Sequence, residues 1–189
     1  PAIKQAAIAA IEEYGAGSGA SRLVTGNHPL YAKLEARLAE FKRTEAACVF
    51  GSGYLANTGI IPALIGSDGL VLLDEFSHAC IYAGAQLSRG QVKIFRHNDL
   101  DHARALLDAH RTQHDRALIV TDGVFSMDGD IAPLEDLLAL AEQYDAWLMS
   151  DDAHGIGVLG GGRGSSFSEN SHIAVPLQMG TLSKAIGSY

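Results

Sequence analysis

The sequence predicts an α/β protein built on a doubly wound, mostly parallel sheet with helices on both faces. Three observations point there. Short apolar runs of strand length alternate with helical patterns over most of the chain. The runs are apolar throughout rather than every second residue, as expected of strands buried on both faces. Polar residues gather just past the runs, at the carboxyl edge where open parallel sheets place their chemistry.

The elements follow in order. Residues 1–14 set Ile3, Ala7, Ala10, Ile11 and Tyr14 along one side, with Gly15 as a stop, and predict a helix. A glycine-rich crossing, GAGSGASRLVTGN, contains Arg22. Asn27 or His28 then caps a second helix with Pro29 in its first turn and Leu30, Leu34, Leu38 and Phe41 at helical spacing. Its charged residues, Lys33, Glu35, Arg37, Glu40 and Lys42, read as a solvated face. Strands are expected at 46–50, 70–74, 92–95, 117–121 and 146–150. Helices are expected near 54–65, 78–88, 99–110 and 133–144, with Asn98 capping the third of these and Pro133 opening the fourth.

At 189 residues, 47% hydrophobic and 19% charged, the chain is expected to form one globular domain, residues 1–189, with a sizeable core. A net charge of -8 argues against nucleic acid or an anionic membrane as partner. Cys48 and Cys80 are too few for a disulfide framework, no basic start followed by an apolar run resembles a signal peptide, and no segment approaches the roughly 20 apolar residues of a membrane span. A cytoplasmic location is expected. The chain begins without methionine and ends just after Lys184, and is expected to be a piece of a longer one.

Several motifs carry chemistry. FGSGYLAN (50–57) leads through Gly51 and Gly53 into a helix, which suits either a phosphate or a plain turn. GIGVLG (155–160) matches G-x-G-x-x-G, but DDAH separates it from the strand and no helix can follow, so it is not a dinucleotide fingerprint. Asp151, Asp152 and His154 could ligate a metal; His97, His102, His110 and His114 add imidazoles but read better as a solvated helix and its flanks. The loop TDGVFSMDGD (121–130) is dense in side-chain oxygens and is also ordinary turn composition. His78, alone after its strand, reads as structural unless other groups converge on it.

They do converge. His78, Ser126, Asp151, His154 and Lys184, with the turn at Gly53, all fall at carboxyl ends of expected strands. Pyridoxal phosphate is a ligand that employs all of them. Lys184 would form a Schiff base with its aldehyde, Asp151 would pair with the ring nitrogen, and Gly53, Tyr54 and Thr181 would hold the phosphate.

Seven ordered stretches, GSGASRLVTGNHPLYAKLE, FGSGYLAN, DEFSHAC, FRHND, TDGVFSMDGD, DDAHGIGVLG with GRG, and GTLSKAIG, resemble the α-oxoamine synthase family of fold-type I pyridoxal phosphate enzymes. The resemblance covers essentially the whole chain. It implies that Lys184 is the cofactor lysine, Asp151 the ring-nitrogen partner and His78 the imidazole stacked on the ring. It also places His154 and Ser126 near the cofactor's phenolic oxygen, makes Thr181 a phosphate ligand, and leaves Arg22 as a substrate contact. The implied reaction is a decarboxylative condensation of an amino acid with an acyl-CoA or acyl-carrier-protein thioester, in a homodimer whose subunits share active sites. Asp122 stands where many members carry Glu and others Asp, and Leu23 where one branch carries Asn.

Overall fold

The structure, a computed structural model, describes residues 2–188. Pro1, the expected start of the first helix, and Tyr189, at the end of the last motif, lie outside the described residues. The described residues divide into two compact units, 2–49 with 188 and 50–187.

The first unit holds α1 (Ala2–Tyr14) and α2 (Pro29–Lys42). His28, not Asn27, caps α2, accepting the Leu30 N–H on its ring, and Pro29 sits in the first turn as the sequence indicates. The expected strand at 46–50 does not form. Its backbone groups are taken by side chains instead: Glu35 Oε1 accepts the Val49 N–H at 2.8 Å, and Arg22 donates to the Val49 carbonyl at 3.0 Å. A backbone satisfied this way has no need of a ladder. Glu35 is therefore no solvated residue, since it also binds Arg22 at 2.7 and 3.0 Å.

The second unit is a five-stranded parallel sheet in the order β2-β1-β3-β4-β5. The strands are β1 (Leu70–Asp74), β2 (Gln91–Phe95), β3 (Ala117–Asp122), β4 (Trp147–Asp151) and β5 (Leu177–Met179). The first four stand where the sequence puts them, within a residue. β5 was not expected: three residues directly after Pro176 are too few to show a period, and proline confines a strand to its first positions. The helices are α3 (Gly53–Leu64), α4 (Ala79–Ser88), α5 (Leu100–His110) and α6 (Leu134–Gln143). Asp99 rather than Asn98 caps α5, its carboxylate accepting the His102 N–H; Asn98 instead adopts a left-handed φ of 53°.

The sheet is covered on both faces. Leu70, Leu72, Ile119 and Leu148 pack with Leu107 of α5 and Leu137 of α6. The intervening Val71, Leu73, Leu118, Val120 and Met149 pack with Ile61 of α3 and Ile81 of α4. Fully burying each Leu or Ile contributes about 1.5–3 kcal/mol before entropy is charged, so unbroken apolar strands suit this two-faced burial. The strand order reverses between β1 and β3, which opens a crevice at their carboxyl ends.

Along that edge, loops are tied by a histidine. His97, two residues past β2, meets Asp74 Oδ1 at 3.0 Å through Nδ1 and Asp130 Oδ2 at 2.7 Å through Nε2. Its ring stacks on Phe76 and meets Phe125 edge-on. Burial alone would lower its pKa, but the bonds to Asp74 and Asp130 outweigh this and raise it. The sequence had placed His97 with the solvated imidazoles, and the structure corrects that. Because folding favours the protonated ring, the contribution is complete below the ordinary histidine value of 6.5 and is lost as pH rises through the raised value. His97→Asn is expected to cost about 1–2 kcal/mol at pH 6, with the difference from the parent shrinking as pH rises, measured by thermal melts across pH.

Candidate active site

The crevice is a cleft of about 200 Å³, and its lining includes Gly53, Tyr54, His78, Asp122, Asp151, His154, Thr181 and Lys184. They reach it from several segments far apart in the chain. His78 ends the loop after β1 and caps α4, its Nδ1 accepting the Cys80 N–H at 3.2 Å. Asp122 and Asp151 are the last residues of β3 and β4 and stand opposite each other in the parallel register. Thr181 and Lys184 follow β5, the strand the sequence did not reveal. Gly53 opens α3, whose first-turn N–H groups have no partner within the helix.

Asp151 is 4% exposed. Its Oδ1 accepts the Ala153 N–H at 3.0 Å and its Oδ2 accepts the Asn57 amide at 2.7 Å. Asp122, also 4% exposed, accepts the His78 N–H at 3.1 Å. Burial, and then the charge of Asp151, push the Asp122 carboxyl up to about 7. Lys184 Nζ lies 2.6 Å from His154 Nε2. Burial and the Lys184 cation lower the pKa of His154, so its neutral ring accepts from the lysine. The hydroxyls of Thr181 and Ser183 share a 2.8 Å hydrogen bond beside them.

Not every sequence candidate enters the cleft. Ser126 lies exposed in the loop after β3 and is not among the lining residues. Arg22 belongs to the first unit, where its guanidinium binds Glu35 and lies over the Tyr31 ring. Asp152, open to a metal reading from sequence, is 1% exposed and accepts from the Ser165 backbone and hydroxyl. The glycines of GIGVLG serve packing. A Cβ at Gly155 would fall 2.0 Å from Asp152 Oδ1, at Gly157 2.9 Å from Ala185 Cβ, and at Gly160 2.5 Å from Phe167 Cβ. Cys80 and Asn57 are the residues the sequence did not single out. Both read as ordinary apolar-face or helix positions, and only the fold shows them beside His78 and Asp151.

The family pattern for aminotransferase class I and II matches residues 1–189. The chain belongs to that family. Among curated family members, it is 67% identical to an 8-amino-7-oxononanoate synthase of Methylocella silvestris, over 100% of this chain and 54% of the relative. It is 62% identical to the same-named enzyme of Beijerinckia indica, over 100% and 49%. The chain thus spans about half the length of the curated relatives it matches. Among solved aminotransferase-family structures it resembles a serine palmitoyltransferase from S. paucimobilis with a bound PLP–myriocin aldimine, with a TM-score of 0.92 at 35% identity, over 100% and 47% of the two chains. It also resembles 8-amino-7-oxononanoate synthase from Francisella tularensis, with a TM-score of 0.77 at 29% identity, over 98% and 51%. Among the described residues, no helix is long and apolar enough to cross a membrane.

Two titrations test this geometry. Asp122 is protonated more readily in the folded chain than in the unfolded one, so its stabilising effect is whole below pH 3.8 and lost as pH rises to about 7. Asp122→Asn in the cofactor-free protein is expected to gain stability on the parent over that interval, by at most about 1.4 kcal/mol per pH unit, and then to level off. Lys184→Ala removes a cation facing His154, and the His154 pKa is expected to rise towards 6.5 in an NMR titration.

Proposed function

We propose that residues 1–189 are the cofactor-binding large domain of a pyridoxal phosphate-dependent α-oxoamine synthase. Its activity in this reading is that named for the relatives, 8-amino-7-oxononanoate synthesis. The observation that carries the proposal is the meeting of Lys184, Asp151, His78 and His154 in one cleft at the switch point of a parallel sheet. The donor set fits the cofactor: an amine for its aldehyde, a buried carboxylate for its ring nitrogen, and the α3 N-terminus with the Thr181 hydroxyl for its phosphate. Pyridoxal phosphate bound there would supply an electron sink for the α-carbon of an amino acid.

The chain's own residues do the rest. Lys184 would hold the aldehyde and, once displaced by substrate, is the amine placed to take the α-proton. The neutral His154 ring, 2.6 Å away, accepts a hydrogen bond from Lys184 Nζ and orients that amine. Asp151, held by two N–H donors, would be the carboxylate that pairs with the ring nitrogen. His78 forms one wall. In the net reaction the amino acid's α-carbon bonds to the acyl carbon, the thiol leaves, and the carboxyl departs as carbon dioxide.

The substrates in this reading are alanine and a pimeloyl thioester, on CoA or a carrier protein, for biotin synthesis. Asp122 also fits the related 2-amino-3-ketobutyrate CoA ligase reaction of glycine with acetyl-CoA. Arg22 as a substrate contact, Ser126 as a cofactor contact, and a homodimer with shared sites belong to the same proposal. The unpaired Cys48 and Cys80 suit a reducing cytoplasm.

An absorbance spectrum of the full-length protein with pyridoxal phosphate, beside Lys184→Ala, tests this. The parent is expected to show a visible band that borohydride removes, and the variant none; no band in the parent would remove the cofactor from the reading. Thiol release with alanine and pimeloyl-CoA, against glycine and acetyl-CoA, separates the two condensations.

A further inference from the structure

Resting on the reading of the cleft as a pyridoxal phosphate site, we propose that Asn57 is a positioning residue that sets both polar walls of that site, holding Asp151 directly and the His78 ring through Cys80.

Asn57 lies on α3 and is 0% exposed. It is driven to that depth by a close helix contact: a Cβ at Gly84 of α4 would fall 2.5 Å from the Asn57 carbonyl, so the two backbones meet with only a hydrogen between them. From there the side-chain amide donates to Asp151 Oδ2 at 2.7 Å and to Cys80 Sγ at 3.0 Å. Cys80 Sγ is in turn 2.8 Å from His78 Nδ1, which also accepts the Cys80 backbone N–H. A ring nitrogen that accepts a backbone N–H carries no hydrogen, so Nδ1 is the bare nitrogen and the thiol lies against the same lone pair. The contacts therefore run unbroken from Asn57 through Cys80 to His78.

The amide's orientation is unambiguous. Turned over, it would set its oxygen 2.7 Å from a carboxylate oxygen, acceptor against acceptor. In the orientation seen, Asn57 Oδ1 is buried and has no hydrogen-bond partner among the described residues. An unpaired buried carbonyl is unfavourable to folding, and an apolar side chain on this helix would avoid it. The asparagine is spent on the cleft, not on the core.

The two carboxyl groups show what it does there. Asp151 receives two N–H donors and Asp122 one. Without the Asn57 amide each would keep a single backbone donor, from Ala153 at 3.0 Å and His78 at 3.1 Å, and Asp151 would lose the one side-chain donor that sets it apart.

The test compares the parent, Asn57→Leu and Cys80→Ala, each cofactor-free, by thermal melt and by spectroscopic titration with pyridoxal phosphate across pH. Asn57→Leu is expected to melt at or above the parent, to bind pyridoxal phosphate at least tenfold more weakly, and to show a displaced pH dependence of the visible band. Cys80→Ala is expected to lose affinity by a smaller factor and to shift the His78 Nδ1 resonance in a nitrogen NMR spectrum, since the Sγ contact is lost while the backbone N–H remains. An Asn57→Leu chain that fails to fold would overturn the proposal, because the amide would then serve the core. Unchanged affinity and pH profile in Asn57→Leu would overturn it while leaving the cofactor reading intact. A parent without a band would fail the cofactor reading itself.

Discussion

Two acidic side chains stand opposite each other at the ends of neighbouring parallel strands, Asp122 on β3 and Asp151 on β4, and the cleft is arranged around their repulsion. Both are almost wholly buried, where like charges are poorly screened. The surroundings separate them by unequal supply. Asp151 takes a backbone and a side-chain N–H, while Asp122 takes one backbone N–H and is left at about 7. One site thus holds a doubly hydrogen-bonded carboxyl group beside one that exchanges its proton near neutrality, and unequal surroundings of this kind are how paired carboxyl groups come to take different roles.

The same edge is stiffened by a second carboxylate system on the far side of β1. Asp74, 0% exposed, accepts the Phe76 and Asn98 backbone N–H groups as well as His97. Asp130, from the loop after β3, meets the other nitrogen of His97 and the Asn98 amide. The loops after β1, β2 and β3 are joined there by one imidazole. The first of them ends at His78 and the third begins at Asp122, so the clip fixes the ends from which two cleft walls are built. Parallel sheets leave such loops without ladder bonds, and side-chain bonds take their place.

The fold was legible wherever a period was long enough to count. The two-faced burial of 70–74, 117–122 and 147–151 shows in unbroken apolar runs, and every helix over ten residues shows its own repeat. The errors fall where a side chain overrules the backbone pattern. Residues 46–50 look like a strand until Arg22 and Glu35 take the hydrogen bonds of Val49. β5 is too short to have a pattern. In the site, Lys184, Asp151, His78 and His154 were legible because their chemistry is conspicuous beside a strand end. Asn57 and His97 were not, since their roles lie in partners 94 and 33 residues away.

Lys184 shows how little regular structure is needed to place a side chain in the cleft. β5 is three residues long and pairs with β4 alone, and the segment beyond it is neither helix nor strand. What locates the lysine is close packing at glycines. A Cβ at Gly180 would fall 2.1 Å from the Ile156 side chain, and one at Gly157, with φ of 83°, 2.9 Å from Ala185. The segment carrying Lys184 is thereby pressed onto the turn that follows His154, and Nζ meets Nε2. The glycine pattern that imitates a nucleotide fingerprint in the sequence is the means by which one turn is laid against another. Its product is a lysine fixed by contact and an imidazole kept neutral beside it. An amine held this way can exchange partners without unfolding a strand, which a lysine inside a ladder could not do.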